Sequence, residues 1–136
     1  MIKILLLLTS LCFTCENEKI IASFAEDIAF VESSNNVHAI GLDGERGIYQ
    51  ITREVVIDVN DNYGTQYSHA DMHDQYKAFD VLVKYLTMGC ERYWLHQGKI
   101  PTKREYLIMW NQGIYRPIND NSCRPYIQRY VDLGFL

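Results

Sequence analysis

Two neighbouring stretches of the chain decide its fold: Ala29-Phe-Val-Glu-Ser-Ser-Asn-Asn-Val-His-Ala-Ile-Gly41 and Gly44-Glu-Arg-Gly-Ile-Tyr-Gln-Ile-Thr52. The first brings a carboxylate, Glu32, to the end of an apolar run, and the second is a glycine-punctuated turn followed by a short β-prone run. One set of residues recurs at the i, i+4, i+7, i+11 spacing of a single helix face: Ile21, Ala25, Ile28 and Glu32. We therefore predict a helix that ends at residues 33–36 and turns Glu32 toward the core.

The position of Glu32 favours a proton donor. Burial removes water from a carboxylate and raises its pKa, and the carbonyls at a helix C-terminus oppose a second negative charge. A carboxyl group that keeps its proton near neutral pH suits general acid catalysis. The alternative is structural, because Glu32 could instead form a salt bridge with Arg46 or Arg53.

The rest of the pattern predicts an α+β fold that is mainly α, with one small β-hairpin beside the helix of Glu32. Residues 37–40 and 47–51 are the two predicted strands, separated by a turn-rich segment. Capping and stop residues delimit the other elements: a helix from Thr52 to Gly64, a capping box of Ser68 with Asp71, a long helix from Asp74 to His96, a helix opened by Thr102 and Glu105 and ended at Gly113, and a last helix from Pro125 to Gly134.

Length and charge narrow the functional classes. A chain of 136 residues fits one domain, and its net charge of −4 with scattered basic residues is not the footprint of a nucleic-acid binder. We expect a monomer that binds no nucleic acid.

The first fifteen residues resemble a secretory signal: Lys3 precedes an apolar stretch from Ile4 to Phe13, too short to span a bilayer comfortably. We expect residues 1–15 to be a signal segment, residues 16–136 to be the folded domain, and the protein to be secreted or periplasmic with no stable membrane span. The site of cleavage, and lipid attachment at Cys15, stay open.

Two further residue pairs leave alternatives. In an oxidising compartment Cys90 and Cys123 could form a disulfide, or they could be two separate buried thiols. His69 and His73 lie four residues apart, as metal ligands can, but no third ligand is evident in the sequence. We expect exposed histidines, no metal and no cofactor.

Several motifs carry a resemblance to a known family. The run Glu32-Ser33, then Asn36, Ala39 and Ile40, and Gly47-Ile-Tyr-Gln-Ile51 resemble the glutamate-serine and glycine-leucine-methionine-glutamine motifs of the lysozyme-like lytic transglycosylases of the SLT type. Trp110-Asn-Gln-Gly113 resembles that family's tyrosine-asparagine-alanine-glycine motif, and Tyr126 its late tyrosine. Gln112 departs from the family by replacing a small residue, and residues 115–123 form a longer loop.

The resemblance implies a lysozyme-like fold and assigns roles to individual residues. Glu32 would be the catalytic acid, and the substrate-binding residues would be Ser33, Tyr49, Gln50, Asn111 and Tyr126. Each has a plain structural alternative: a helix-stop serine, a core tyrosine, a solvent-facing glutamine, an asparagine bound to loop backbone, and one tyrosine among the ten in the chain.

The activity implied is cleavage of the β-1,4 bond between N-acetylmuramic acid and N-acetylglucosamine in the glycan strands of peptidoglycan, with formation of 1,6-anhydro-muramyl ends. A hydrolytic lysozyme is the nearest alternative, with Asp43 or Glu45 as a second carboxylate. A secreted glycan-binding or inhibitory module without turnover is the alternative of a different class.

Overall fold

A computed structural model of the protein describes residues 16–136, and most of these residues are helical. The predicted signal segment lies outside the described residues. The elements in chain order are α1 (16–22), α2 (Ala25–Ser33), α3 (Arg53–Tyr63), a 3-10 helix (His69–His73), α4 (Gln75–Gln97), α5 (Lys103–Gln112) and α6 (Arg124–Asp132).

The predicted capping residues are confirmed where helices begin. The Thr52 side chain accepts a hydrogen bond from the backbone N–H of Val55, and Ser68 and Thr102 each form a capping box. These side chains satisfy N–H groups that have no partner inside the helix, which is why the sequence alone located the helix starts.

The prediction of an α+β fold with a hairpin is wrong. The described residues contain no strand, and the antiparallel pairing is limited to two isolated bridges, Ile40 with Arg46 and Arg46 with Ile51. The segment predicted as the second strand is a turn, because Gly47 has φ 77° and Gln50 has φ 52°. Both angles lie in the left-handed region and reverse the chain. The described part of the protein is therefore all-helical.

The single helix predicted through Ile21 and Glu32 is divided in two. Residues 23 and 24 form a turn between α1 and α2. The predicted inward face survives this break, since Ile21, Ala25 and Ile28 are all buried. Spacing therefore predicted burial correctly, although it did not reveal the turn.

Helix α4 lies at the centre of the packing. It packs against α3, the 3-10 helix and α5, while α6 packs against α5 and α2. Ten of its residues are buried, from Ala78 to Cys90, so this long helix carries much of the apolar core. Gly89 lets the chain at Ile114 approach closely, because a Cβ on Gly89 would lie 2.8 Å from the Ile114 side chain.

A buried polar group fixes α1 to this core. Asn17, only 1% exposed, donates a hydrogen bond to the Thr87 hydroxyl at 3.3 Å and accepts one from the Tyr106 hydroxyl. A buried amide with both ends bonded specifies one orientation of α1 against α4 and α5.

The two described cysteines are separate buried thiols. Of the two alternatives from the sequence, the disulfide between Cys90 and Cys123 is therefore wrong. The Cys123 sulfur faces the Gln112 side-chain oxygen at 3.7 Å.

No helix within residues 16–136 combines the length and the hydropathy that a membrane-spanning segment requires.

Candidate functional site

Glu32 lies at the last turn of α2, and the end of that helix is bonded to the turn that follows. Ser34 adopts φ 54° and its N–H reaches the carbonyls of Ala29 and Phe30, which ends the helix. The Ser33 hydroxyl donates to the carbonyl of Ile48 at 2.8 Å and accepts the N–H of Asn36 at 3.0 Å. The position of Glu32 therefore depends on contact between α2 and the 47–50 turn.

The Glu32 carboxyl group is half-buried and bound to a tyrosine of the last helix. The Tyr126 hydroxyl donates to Glu32 Oε1 at 2.8 Å, and the hydroxyls of Tyr126 and Tyr130 lie 2.7 Å apart. Both tyrosine side chains are buried. These two linked hydrogen bonds hold one carboxylate oxygen of Glu32 in place from inside the protein.

Burial is the largest influence on Glu32, and it raises the pKa of this carboxyl group above its ordinary value. Three groups oppose that rise: the hydrogen-bonding side chains of Tyr126 and Trp110, and the positive charge of Arg129. The negative charge of Glu45 adds to it. The predicted pKa direction is therefore confirmed, with burial as its main cause.

The predicted structural alternative for Glu32 is wrong. None of the ion pairs between described residues includes Glu32, Arg46 or Arg53. A half-buried carboxylate outside any ion pair is costly to ionise, because the positive charge of Arg129 only partly offsets the lost hydration.

Aromatic rings extend the site from Glu32 toward α3. The ring of Trp110 packs edge-on against Tyr85 with centroids 6.0 Å apart. The Tyr85 hydroxyl accepts the N–H of Ile114 at 3.3 Å. Beyond it, Asp58 of α3 interacts with the Tyr115 hydroxyl, which lowers the pKa of Asp58, while burial raises it overall.

Gln50 and Glu45 converge above Gly41. A Cβ on Gly41 would overlap Glu45 Oε2 and lie 2.7 Å from Gln50 Oε1, so only glycine fits here without movement of these side chains. Gln50 donates its amide to the Gly47 carbonyl at 2.9 Å, and Glu45 accepts the N–H of Asp43 at 3.1 Å. The side chains of Gln50 and Glu45 therefore stabilise the loop of residues 41–50 through these hydrogen bonds.

The structure brings together some of the predicted site residues and separates others. Glu32, Ser33 and Tyr126 are close to one another through the contacts described above. Asn111 is exposed at the end of α5. Tyr49 is buried and lines a different cavity with Phe30 and Tyr76, whose lining does not include Glu32. Substrate contact by Asn111 and Tyr49 stays a prediction.

Of the side chains that act on Glu32 directly or through a neighbour, Tyr126 was predicted from the sequence as a site residue, whereas Tyr130, Arg129 and Trp110 were not. Tyr130 follows Tyr126 by four residues on α6, so helix spacing was a signal that could have found it. Arg129 and Trp110 act on Glu32 from separate elements, and no local pattern indicates such contacts.

The two histidines considered as metal ligands have structural contacts instead. His69 Nε2 lies 2.7 Å from the carbonyl oxygen of Ile51, and His73 Nδ1 lies 2.9 Å from that of Val37. They are half-buried rather than exposed as predicted, and they connect the 3-10 helix to the 36–51 loop. Among residues 16–136 no group of three or more potential ligand side chains could hold a metal ion.

Comparison of the chain with known family profiles, characterised proteins and solved structures finds no match. The assignment of a function therefore depends on the chemistry of the site and on the motif resemblance.

Proposed function

We propose that the protein is a lytic transglycosylase that cleaves the β-1,4 bond between N-acetylmuramic acid and N-acetylglucosamine in peptidoglycan. One observation carries the proposal: Glu32 is a half-buried carboxyl group with a raised pKa and a hydrogen bond from Tyr126, and it is free of ion pairs within the described residues. The order of the motifs around it supports the same activity.

In the proposed mechanism, Glu32 first acts as a general acid. It donates its proton to the departing glycosidic oxygen while positive charge develops on the muramyl ring carbon. The hydrogen bond from Tyr126 to Oε1 then stabilises the carboxylate that remains, because a hydrogen bond to an ionised acceptor is stronger than one to a neutral acceptor.

Glu32 next acts as a general base. It removes a proton from the C6 hydroxyl of the muramyl unit, and this oxygen attacks the ring carbon to close the 1,6-anhydro ring. The bond to the departing sugar has broken, the new intramolecular bond has formed, and Glu32 has regained its proton. No second carboxylate is needed.

A hydrolytic lysozyme is the second candidate, and the charge of Glu45 acting on Glu32 is the observation that favours it. Glu45 would then hold water or stabilise the positive centre. Asp43 is exposed in the same turn and is the weaker choice. Under either activity the substrate places the protein outside the cytoplasm.

Digestion of purified sacculi tests these assignments. We expect lysis by the wild type, loss of lysis in Glu32→Gln, and retained lysis in Glu54→Gln, a control that removes an exposed carboxylate from α3. Mass spectrometry of the products separates the mechanisms, because anhydro-muramyl ends indicate transglycosylation and reducing muramic ends indicate hydrolysis.

The same experiment separates the enzyme from a binding module. If neither the wild type nor Glu32→Gln lyses sacculi while both sediment with them, the glycan-binding alternative replaces the enzyme. If Glu45→Gln abolishes lysis and the wild type gives reducing ends, the hydrolase replaces the transglycosylase.

A further inference from the structure

A groove separate from Glu32 gathers positive charge in a protein whose net charge is −4. It lies between the C-terminal part of α4, the side of α5 and the 114–118 loop, with a cavity volume of about 690 Å³. We call it the basic groove and define it by six of its lining residues: Arg92, Tyr93, His96, Lys99, Tyr115 and Arg116.

The loop wall of the basic groove is held in place by defined contacts. Ile114 is buried against Gly89 of α4, and its N–H is bonded to Tyr85. The Gln112 amide donates to the carbonyls of Arg116 and Pro117 at 3.3 and 2.8 Å. These contacts fix the backbone that presents Arg116 opposite α4.

Charge in the basic groove is only partly neutralised. Among the described residues that line it, Glu105 is the one carboxylate. Glu105 lies 3.9 Å from Lys99 and is also bonded to Tyr93 and Thr102. Within residues 16–136, Arg92 and Arg116 belong to no ion pair. With His96 neutral, the three cations and one carboxylate leave a local charge of +2. The Asp58 carboxylate, which does not line the basic groove, acts on the Tyr115 hydroxyl at one end of it.

Aromatic rings form the remaining walls. The Arg92 guanidinium lies 4.8 Å from the centroid of the Tyr115 ring, and the Lys99 ammonium lies 5.9 Å from that of Tyr93. Cation–π contacts of this kind hold a cation in place without neutralising its charge. The ring faces also provide surfaces against which the carbon backbone of a sugar or polyol can pack.

We propose that the basic groove binds a sugar or polyol phosphate. A single carboxylate would leave about half of the local charge uncompensated, whereas a phosphate monoester carries about −1.5 to −2 charges near neutral pH. The planar guanidinium matches phosphate geometry through two parallel hydrogen bonds, and two such groups line this groove. The charge comes either from a free phosphate monoester or from two successive phosphodiesters of a wall polymer, each of which carries one negative charge.

Calorimetric titration of the full chain tests the proposal and separates these sources. The probes are glycerol phosphate, poly(glycerol phosphate) and inorganic phosphate. We expect saturable binding of glycerol phosphate or of the polymer, weakened about tenfold or more in the Arg92→Gln/Arg116→Gln double variant. Tighter binding of glycerol phosphate than of the polymer indicates a free ligand as the source, and tighter binding of the polymer, or binding of the polymer alone, indicates the wall. Both outcomes support the groove.

The control variant is Arg53→Gln, which removes the same charge from an exposed position on α3, and it should bind as the wild type does. Equal affinity in the wild type and the double variant overturns the proposal, as does binding of inorganic phosphate alone or of none of the probes. Circular dichroism of the double variant checks its fold, and Lys99→Gln provides an independent loss of one cation.

This proposal and the proposed function can fail independently. Glu32→Gln should bind the phosphate probes with unchanged affinity, because Glu32 is not among the lining residues. We expect the double variant to lose phosphate binding and keep lysis, and Glu32→Gln to lose lysis and keep phosphate binding. Either result assigns phosphate binding and lysis to separate places.

Discussion

Substitution of Gly47 by alanine should disrupt the turn that holds the end of α2. Gly47 has φ 77°, and a Cβ at this position would overlap the Met72 carbonyl oxygen and lie 2.7 Å from its carbonyl carbon. Both atoms belong to the backbone of the 3-10 helix, so they cannot move away by a side-chain rotation. The turn and the 3-10 helix must therefore separate.

Gly44 provides a matched control in the same loop. It has φ 87°, and a Cβ there would have no neighbour within 4 Å. Gly44→Ala should cost only the left-handed penalty of about 1–2 kcal/mol. Gly47→Ala adds the displacement of packed backbone, which for overpacked sites costs a further 1–3 kcal/mol or so, giving about 2–5 kcal/mol in all.

Urea unfolding of the wild type and the two variants, followed by circular dichroism, measures these free energies of unfolding. NMR of the Gly47→Ala variant should also show chemical-shift changes around Ile48 and Ser33, since the Ser33 hydroxyl is bonded to the Ile48 carbonyl. Equal destabilisation by the two alanine substitutions would refute the close approach of Gly47 to Met72. It would also mean that packing of Gly47 against Met72 does not hold the turn on which the position of Glu32 depends.

Three other predictions follow from buried polar groups. Glu32→Gln should be more stable than the wild type near neutral pH, because burial raises the folded-state pKa of Glu32 and penalises its ionised form. This gain in stability should fade as the pH falls from the raised folded-state pKa to the pKa of Glu32 in the unfolded chain. Urea midpoints measured across that pH range test it. Tyr126→Phe removes a hydrogen bond that favours ionised Glu32, so the pKa of Glu32 in an NMR titration should rise further; an unchanged or lower midpoint contradicts the contact. Asn17→Ala leaves the Thr87 and Tyr106 hydroxyls without their partner and should cost about 2–4 kcal/mol in thermal or urea unfolding, whereas a near-neutral effect would mean that these groups find other partners.

Local chemistry explains which helices the sequence could predict. Thr52, Ser68 and Thr102 cap helices by bonding the N–H group three residues away, so their effect is contained in a few neighbouring residues. The long helix was predicted from Asp74 to His96 and observed over Gln75–Gln97. Its ends are defined by the Asp74 side chain and by Gly98 at φ 67°.

The hairpin failed because two conformations of the same residues compete. The apolar and aromatic residues of Gly47-Ile-Tyr-Gln-Ile51 have high strand propensity, but Gln50 adopts φ 52° and donates to the Gly47 carbonyl. The turn also bonds Ser33 through Ile48 and packs against Met72 through Gly47. Contacts from distant segments therefore outweigh the local preference for a strand.

The sequence by itself determined the positions of most helices, the inward face of Ile21, Ala25 and Ile28, and the placement of Glu32 at a helix end, because each follows from the spacing or capping of nearby residues. Only the tertiary structure decided which groups surround Glu32. Tyr126 reaches its carboxylate from 94 positions along the chain, and the cations of the basic groove come from a helix, a loop and the residues between them. Side chains so far apart in the chain meet only when packing of the apolar core brings their elements together, and no local pattern records that arrangement.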